Sequence, residues 1–208
     1  MISTYKYYLI FVFAFSIWNL LTTAKAAIIS KVSSPECIIE IVGPIEKNDY
    51  SKYVNIRKKI ILKQVETSSP DTVCLNSVGG SQSEGVLFAK HFLREGVSTV
   101  IRPHESCLSI CAVMFMMGNY TGSEIKGLSR KMHVTSRLGF HRPILPHNFN
   151  KSVLAEAPNV IYQAGISAVE ELISLANFKA LFSTEPMIQA DLIREILSHI
   201  GNDFFLHR

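Results

Sequence analysis

The sequence offers metal chemistry no ligand pattern: it contains no C-x-x-C pair and no H-E-x-x-H, the spacings that zinc sites use. It also lacks a marked excess of one charge. Lysine and arginine number 21 against 17 aspartates and glutamates, and two of the lysines, Lys6 and Lys25, fall within the first 26 residues, leaving about +2 on the remainder. Scattered charge so near neutrality excludes the basic footprint of a nucleic-acid binder. Beyond residue 21 no apolar stretch is long enough to span a bilayer, and no internal repeat or low-complexity tract is visible.

What is present begins with a leader. Lys6 precedes the apolar run Tyr7 to Leu21, and Thr22-Thr23-Ala24-Lys25-Ala26 follows with small residues at 24 and 26. That is the layout of a secretory signal peptide over residues 1–26, cleaved after Ala26, and it predicts a periplasmic or secreted protein with no stable membrane span once the leader is removed. An uncleaved anchor is the competing reading. Against it, the run is about 15 residues and is interrupted by Asn19, where a span needs roughly 20. Residues 27–208 then make one domain, with a core over 37–143 and a helical region over 150–208. Four cysteines, Cys37, Cys74, Cys107 and Cys111, make a disulfide plausible in an oxidising compartment. Cys107 and Cys111 meet only if their segment turns helically, and Cys37 and Cys74 fall in two predicted strands that could be neighbours. The pairing stays open.

The pattern of apolar residues predicts an α/β fold. Residues 27–36 read as irregular, 37–42 as a buried strand stopped by Gly43-Pro44, and 50–65 as an amphipathic helix with Tyr53, Val54, Ile56, Ile60, Ile61 and Val65 on one face. Arg57 falls on that apolar side and is expected to reach water along its stem. A second strand over 72–76, a glycine loop, a helix over 83–94 closed by Gly96 and a third strand over 97–101 follow. The apolar run 107–117 reads as a buried helix ended by Gly118-Asn119, and 119–131 as a polar connection. Met132–Val134 and Leu138–Phe140 read as short strands leading to His141. Beyond residue 150 helices are expected before Pro158, over 159–181 with Gly165 as a joint, and over 187–199. Strands alternating with helices favour parallel pairing.

Three local features carry chemistry: Asn76-Ser77-Val78-Gly79-Gly80, Cys107-Leu108-Ser109-Ile110-Cys111-Ala112 and Arg137-Leu138-Gly139-Phe140-His141-Arg142-Pro143. Each lies near a place where a strand gives way to a loop or helix, the edge from which a rigid scaffold presents groups to a cleft. A serine nucleophile needs a base and donors aimed at the oxyanion it creates. Ser109 at the head of an apolar helix, His141 as base and the N–H groups of Gly79, Gly80 and Ile110 would supply these parts. Taken singly, a helix-opening serine is an N-cap, a glycine pair a turn and a strand-end histidine a structural residue.

In combination and order, these motifs resemble the Clp protease proteolytic subunit and the wider crotonase-like superfamily. Closer still, the C-x-S-x-C-A and L-G-F-H-R-P strings look like a group of exported bacterial proteins related to that subunit. The resemblance covers about residues 37–143 and implies a repeated β-β-α superhelix with a largely parallel sheet. It implies Ser109 as nucleophile, His141 as base, Gly79 and Gly80 in the oxyanion loop, a homo-oligomer and no cofactor. Val78 stands where the family has proline, and the family's acidic third member has no clear match. Asp191 and Glu185 are candidates by position, and Asp191 is also readable as a helix-surface charge. His104 is a second candidate base by proximity, and Arg142 could meet a substrate carboxylate. The expected function is an exported serine hydrolase, an ATP-independent peptidase acting on peptide or protein substrates. The alternative is a binding or assembly module that keeps the fold without the chemistry. Acyl-thioester chemistry of the crotonase type is disfavoured because export removes the protein from the acyl-CoA pool.

Overall fold

The computed structural model describes residues 26–62, 71–121, 126–141, 158–177, 186–199 and 205–207. Residues 1–25 of the expected leader, Val65, Arg142, Pro143, His147, the piece before Pro158 and Glu185 lie outside them. The architecture is mixed α/β. Strands β1 (Ile28–Lys31), β2 (Ile39–Val42), β3 (Thr72–Asn76), β4 (Ser98–Ile101) and β8 (Arg130–Met132) form a five-stranded sheet in the order β1-β2-β3-β4-β8. Its β2-β3, β3-β4 and β4-β8 pairs are parallel, and only β1 runs antiparallel to its neighbour. A second sheet pairs β5 (Ser106–Leu108) in parallel with β9 (Arg137–Phe140), which takes β10 (Phe205–His207) antiparallel on its other side. β6 (Asn119–Thr121) and β7 (Lys126–Leu128) form a hairpin.

Five helices occur among the described residues: α1 (Asp49–Ile61), α2 (Gln82–Glu95), α3 (Ile110–Met116), α4 (Pro158–Asn177) and α5 (Ala190–Ser198). Alternation along β2 buries Ile39 and Ile41 against the helices, beside Val73 and Leu75 of β3. Tyr53 of α1 and Phe88 and Phe92 of α2 meet them, with ring centroids 5.3 to 6.0 Å apart. Helix α2 is locally specified at both ends. Ser81 accepts the Glu84 N–H at 3.4 Å, and Gly96 closes the helix at φ 69°, a left-handed conformation that glycine adopts without a Cβ penalty. Helix α3 is buried from Ile110 to Phe115, so it is a core helix and not an amphipathic surface one.

Several expectations need correction. Residues 28–31 form an edge strand, pinned by Ile28 facing Val42 and Ile29 facing Ile41. The run from 107 divides into strand β5 and a helix that starts only at Ile110, because residues 106–108 are held on both sides, by Ser77 and by β9. The polar connection at 119–131 holds the hairpin and the start of β8. Helix α4 runs through Gly165 without a joint. Arg57 does not snorkel to water; it pairs with Asp71, both half-buried. Both cysteine pairs are closed, Cys37–Cys74 joining β3 to the start of β2 and Cys107–Cys111 spanning the β5–α3 turn.

The C-terminal helices cover the core. Leu172, Leu175 and Ala176 of α4 and Ile193 and Ile196 of α5 are buried, with Met187 and Ile188 between them. Gln82 of α2 donates to the Ala168 carbonyl at 3.3 Å. Arg130 donates one nitrogen to the carbonyls of Met116 at 2.7 Å and Met187 at 2.9 Å, tying the end of α3 to the C-terminal region. No helix among the described residues is long and apolar enough to cross a membrane.

Candidate active site

Ser109 sits at a backbone junction that three segments build. Ser77 leaves β3 and donates its N–H to the Ser106 carbonyl at 2.7 Å, while Leu108 donates to the Ser77 carbonyl at 2.9 Å. The next donor along, the Ser109 N–H, goes to Gly139 of β9 at 2.8 Å. The chain then turns sharply into α3, with Ala112 donating to the Ser109 carbonyl at 2.9 Å. The turn is made at φ 58°, ψ −129° on Ser109 itself, a region L-residues other than glycine rarely occupy and which costs on the order of 1–3 kcal/mol. Although Ser109 stands at the helix N-cap position, its hydroxyl makes no cap hydrogen bond and none to any described residue. The N-cap reading of this serine is therefore wrong.

The first glycine of the pair packs directly on it, and the second packs on Ile45. A Cβ placed on Gly79 would lie 2.6 Å from the Ser109 Cβ and 3.2 Å from its Oγ, so only hydrogen allows this approach. Gly79 and Gly80 hold φ 94° and 140°. A Cβ on Gly80 would overlap the Ile45 carbonyl. Ile45, buried just after Gly43-Pro44, donates its N–H to the Gly79 carbonyl at 2.7 Å and accepts the Ser81 N–H at 2.7 Å. The turn that ends β2 is thus the prop of the glycine loop. In the sequence Gly43-Pro44 reads as a strand stop, and the strand ending at Gly43-Pro44-Ile45 also resembles the family's first strand; that Ile45 carries the glycine loop is visible only in the structure.

The three expected oxyanion donors are not equivalent. Gly79 donates its N–H to Ser77 Oγ at 3.1 Å, whereas the N–H groups of Gly80 and Ile110 have no protein acceptor among the described residues. His141 follows β9 one residue after buried Phe140 and is partly buried. It lies two positions past the Gly139 carbonyl that binds Ser109, so β5–β9 pairing brings the candidate base and candidate nucleophile to the ends of adjacent strands. No Ser109–His141 hydrogen bond is formed, a contact that commonly tightens only with substrate bound.

Asp191 is placed differently. Its side chain on α5 is 88% exposed and pairs with Arg194 at 2.8 Å, which is a surface charge and not a carboxylate held against His141. His104 is exposed at φ 64°, its N–H bound to Thr135 Oγ1 at 3.2 Å. A cleft of about 420 Å³ opens elsewhere, lined by Pro35, Glu36, Ser98, Ser129 and Lys131 among others, and none of the candidate site residues borders it. Concavity and chemistry thus disagree, and the strained serine is the better guide, because its hydroxyl has no partner among the described residues and Gly79 packs directly on it. A scan against protein-family models finds no match to this chain, and a search of curated proteins finds none either.

Proposed function

We propose that this chain is an exported serine hydrolase that cleaves peptides through an acyl-enzyme on Ser109. Its fold would be the β-β-α superhelix of the Clp protease proteolytic subunit and crotonase-like proteins. The observation that carries the reading is Ser109: a non-glycine residue in a costly conformation, packed on Gly79, with no hydroxyl partner among the described residues. Strain of this kind clusters where function demands it. In the proposed reaction Ser109 Oγ attacks the scissile carbonyl carbon while His141 takes the hydroxyl proton. The N–H groups of Gly80 and Ile110 receive the oxyanion, and His141 returns the proton to the leaving amine. Water then repeats the sequence on the ester. Losing one such donor costs roughly 100- to 1000-fold in rate. With Asp191 exposed, no orienting acid is assigned, and a serine and histidine then work at a reduced rate.

A fluorophosphonate probe tests this: Ser109 should be labelled, and Ser109→Ala should abolish both labelling and peptide hydrolysis. Full hydrolysis by Ser109→Ala would end the proposal. The unformed Ser109–His141 hydrogen bond and exposed Asp191 favour a second reading, a binding module without catalysis. That reading expects no labelling in the intact, folded protein.

A further inference from the structure

Asp49 opens helix α1 with a carboxylate that is completely buried. Its Oδ1 meets Lys52 at 2.8 Å, a lysine whose side chain is half exposed. Its Oδ2 accepts two backbone donors, the Glu46 N–H at 2.8 Å and the Ala27 N–H at 3.1 Å. Ala27 is itself 5% exposed and leads directly into β1. The nitrogen that reaches the buried carboxylate is therefore the one that leader cleavage after Ala26 would release.

We infer that Asp49 is the receptor for the new α-ammonium group at Ala27, so that leader removal completes the fold with a buried ion pair. In the cleavage, catalysed by a signal peptidase, water adds its hydroxyl to the Ala26 carbonyl carbon and a hydrogen to the Ala27 nitrogen. That amine takes a further proton from solvent at neutral pH. A neutral amide with one donor becomes a cation with three, facing a carboxylate out of reach of water, where charge-assisted hydrogen bonds are strongest. The pair is wired to the candidate active site. The Oδ2 that holds Ala27 also holds Glu46, and Ile45 beside it carries the backbone bonds to Gly79 and Ser81. Processing thereby stiffens the prop of the glycine loop. This last step rests on the hydrolase reading; the ion pair does not.

The test uses the full chain exported through its own leader, compared with a form carrying Gly-Ser inserted between Ala26 and Ala27, each also in an Asp49→Asn background. N-terminal sequencing of the uninserted protein should begin at Ala27. The insertion should lower the melting temperature by roughly 4 °C or more with Asp49 present and leave it unchanged in Asp49→Asn. Labelling of Ser109 by the fluorophosphonate should slow about tenfold. Should Asp49→Asn not fold, the comparison of inserted and uninserted protein decides alone. Equal melting temperatures, or a mature protein beginning elsewhere, would overturn the inference. Absence of labelling in every form, with the melting difference intact, would sink the hydrolase reading and leave the ion pair standing.

Discussion

At position 109 backbone and side chain make opposing demands. The turn from β5 into α3 needs φ 58°, which glycine would satisfy without the cost that serine bears. If the hydroxyl is what the position is for, Ser109→Gly should raise unfolding free energy by about 1 kcal/mol while labelling by the fluorophosphonate vanishes. Denaturant unfolding beside a labelling assay measures both, and a destabilised Ser109→Gly would show that the backbone is not strained there. Gly79 and Ser109 could be singled out from the sequence because their residue types are what oxyanion chemistry uses. That Gly79 donates to Ser77 Oγ while Gly80 has no acceptor among the described residues was not legible, since it depends on where Ser77 Oγ turns.

Among the elements, those with a local signature were readable and those defined by distant partners were not. Helix α2 announces itself through Ser81, Gly96 and a continuous apolar face. Strand β5 takes the first two residues of the same apolar run as α3, and only its pairing with Ser77 and β9 makes it a strand. Likewise β1 exists because β2 offers an open edge. The two disulfides differ in what they join. Cys37–Cys74 closes a separation of 37 residues, whereas Cys107–Cys111 closes only 4 around Ser109. Replacing the first pair by alanines should cost on the order of 3 kcal/mol of stability with little change in labelling of the folded protein. Replacing the second should lower stability less and slow labelling roughly 10-fold or more, because it frees the turn. Chemical denaturation and labelling rates on both double variants separate the two outcomes.

For the molecule as a whole, the α/β class and the parallel order were visible in the alternation of strands and helices. The way the C-terminal helices close over the core was not, because it depends on contacts such as Arg130 with Met187. The interior also sets a pH limit. His91 is buried between Tyr50 and Tyr53, with Nδ1 3.2 Å from the Tyr50 hydroxyl and Nε2 unpartnered. Burial, reinforced by the Arg57 charge, holds its pKa below the usual histidine value. The unfolded chain therefore binds a proton near pH 6.5 that the folded one resists, so stability is complete above that pH and falls as the pH drops below it. Melting temperatures followed from pH 8 to pH 5 should decline, and the decline should be shallower in His91→Phe. An unchanged slope in that variant would assign the acid sensitivity to other groups.

The turn at Ser109 has a stereochemical side as well. Its dihedrals, φ 58° and ψ −129°, are the mirror image of ordinary extended backbone, the conformation a D-amino acid prefers. A chain assembled by chemical ligation with D-serine at 109 would relax the turn. It would also exchange Cβ with the α-hydrogen, swinging the hydroxyl off the face of Gly79. Handedness alone would then separate the two roles of this residue, giving a chain that is more stable and inert towards the probe.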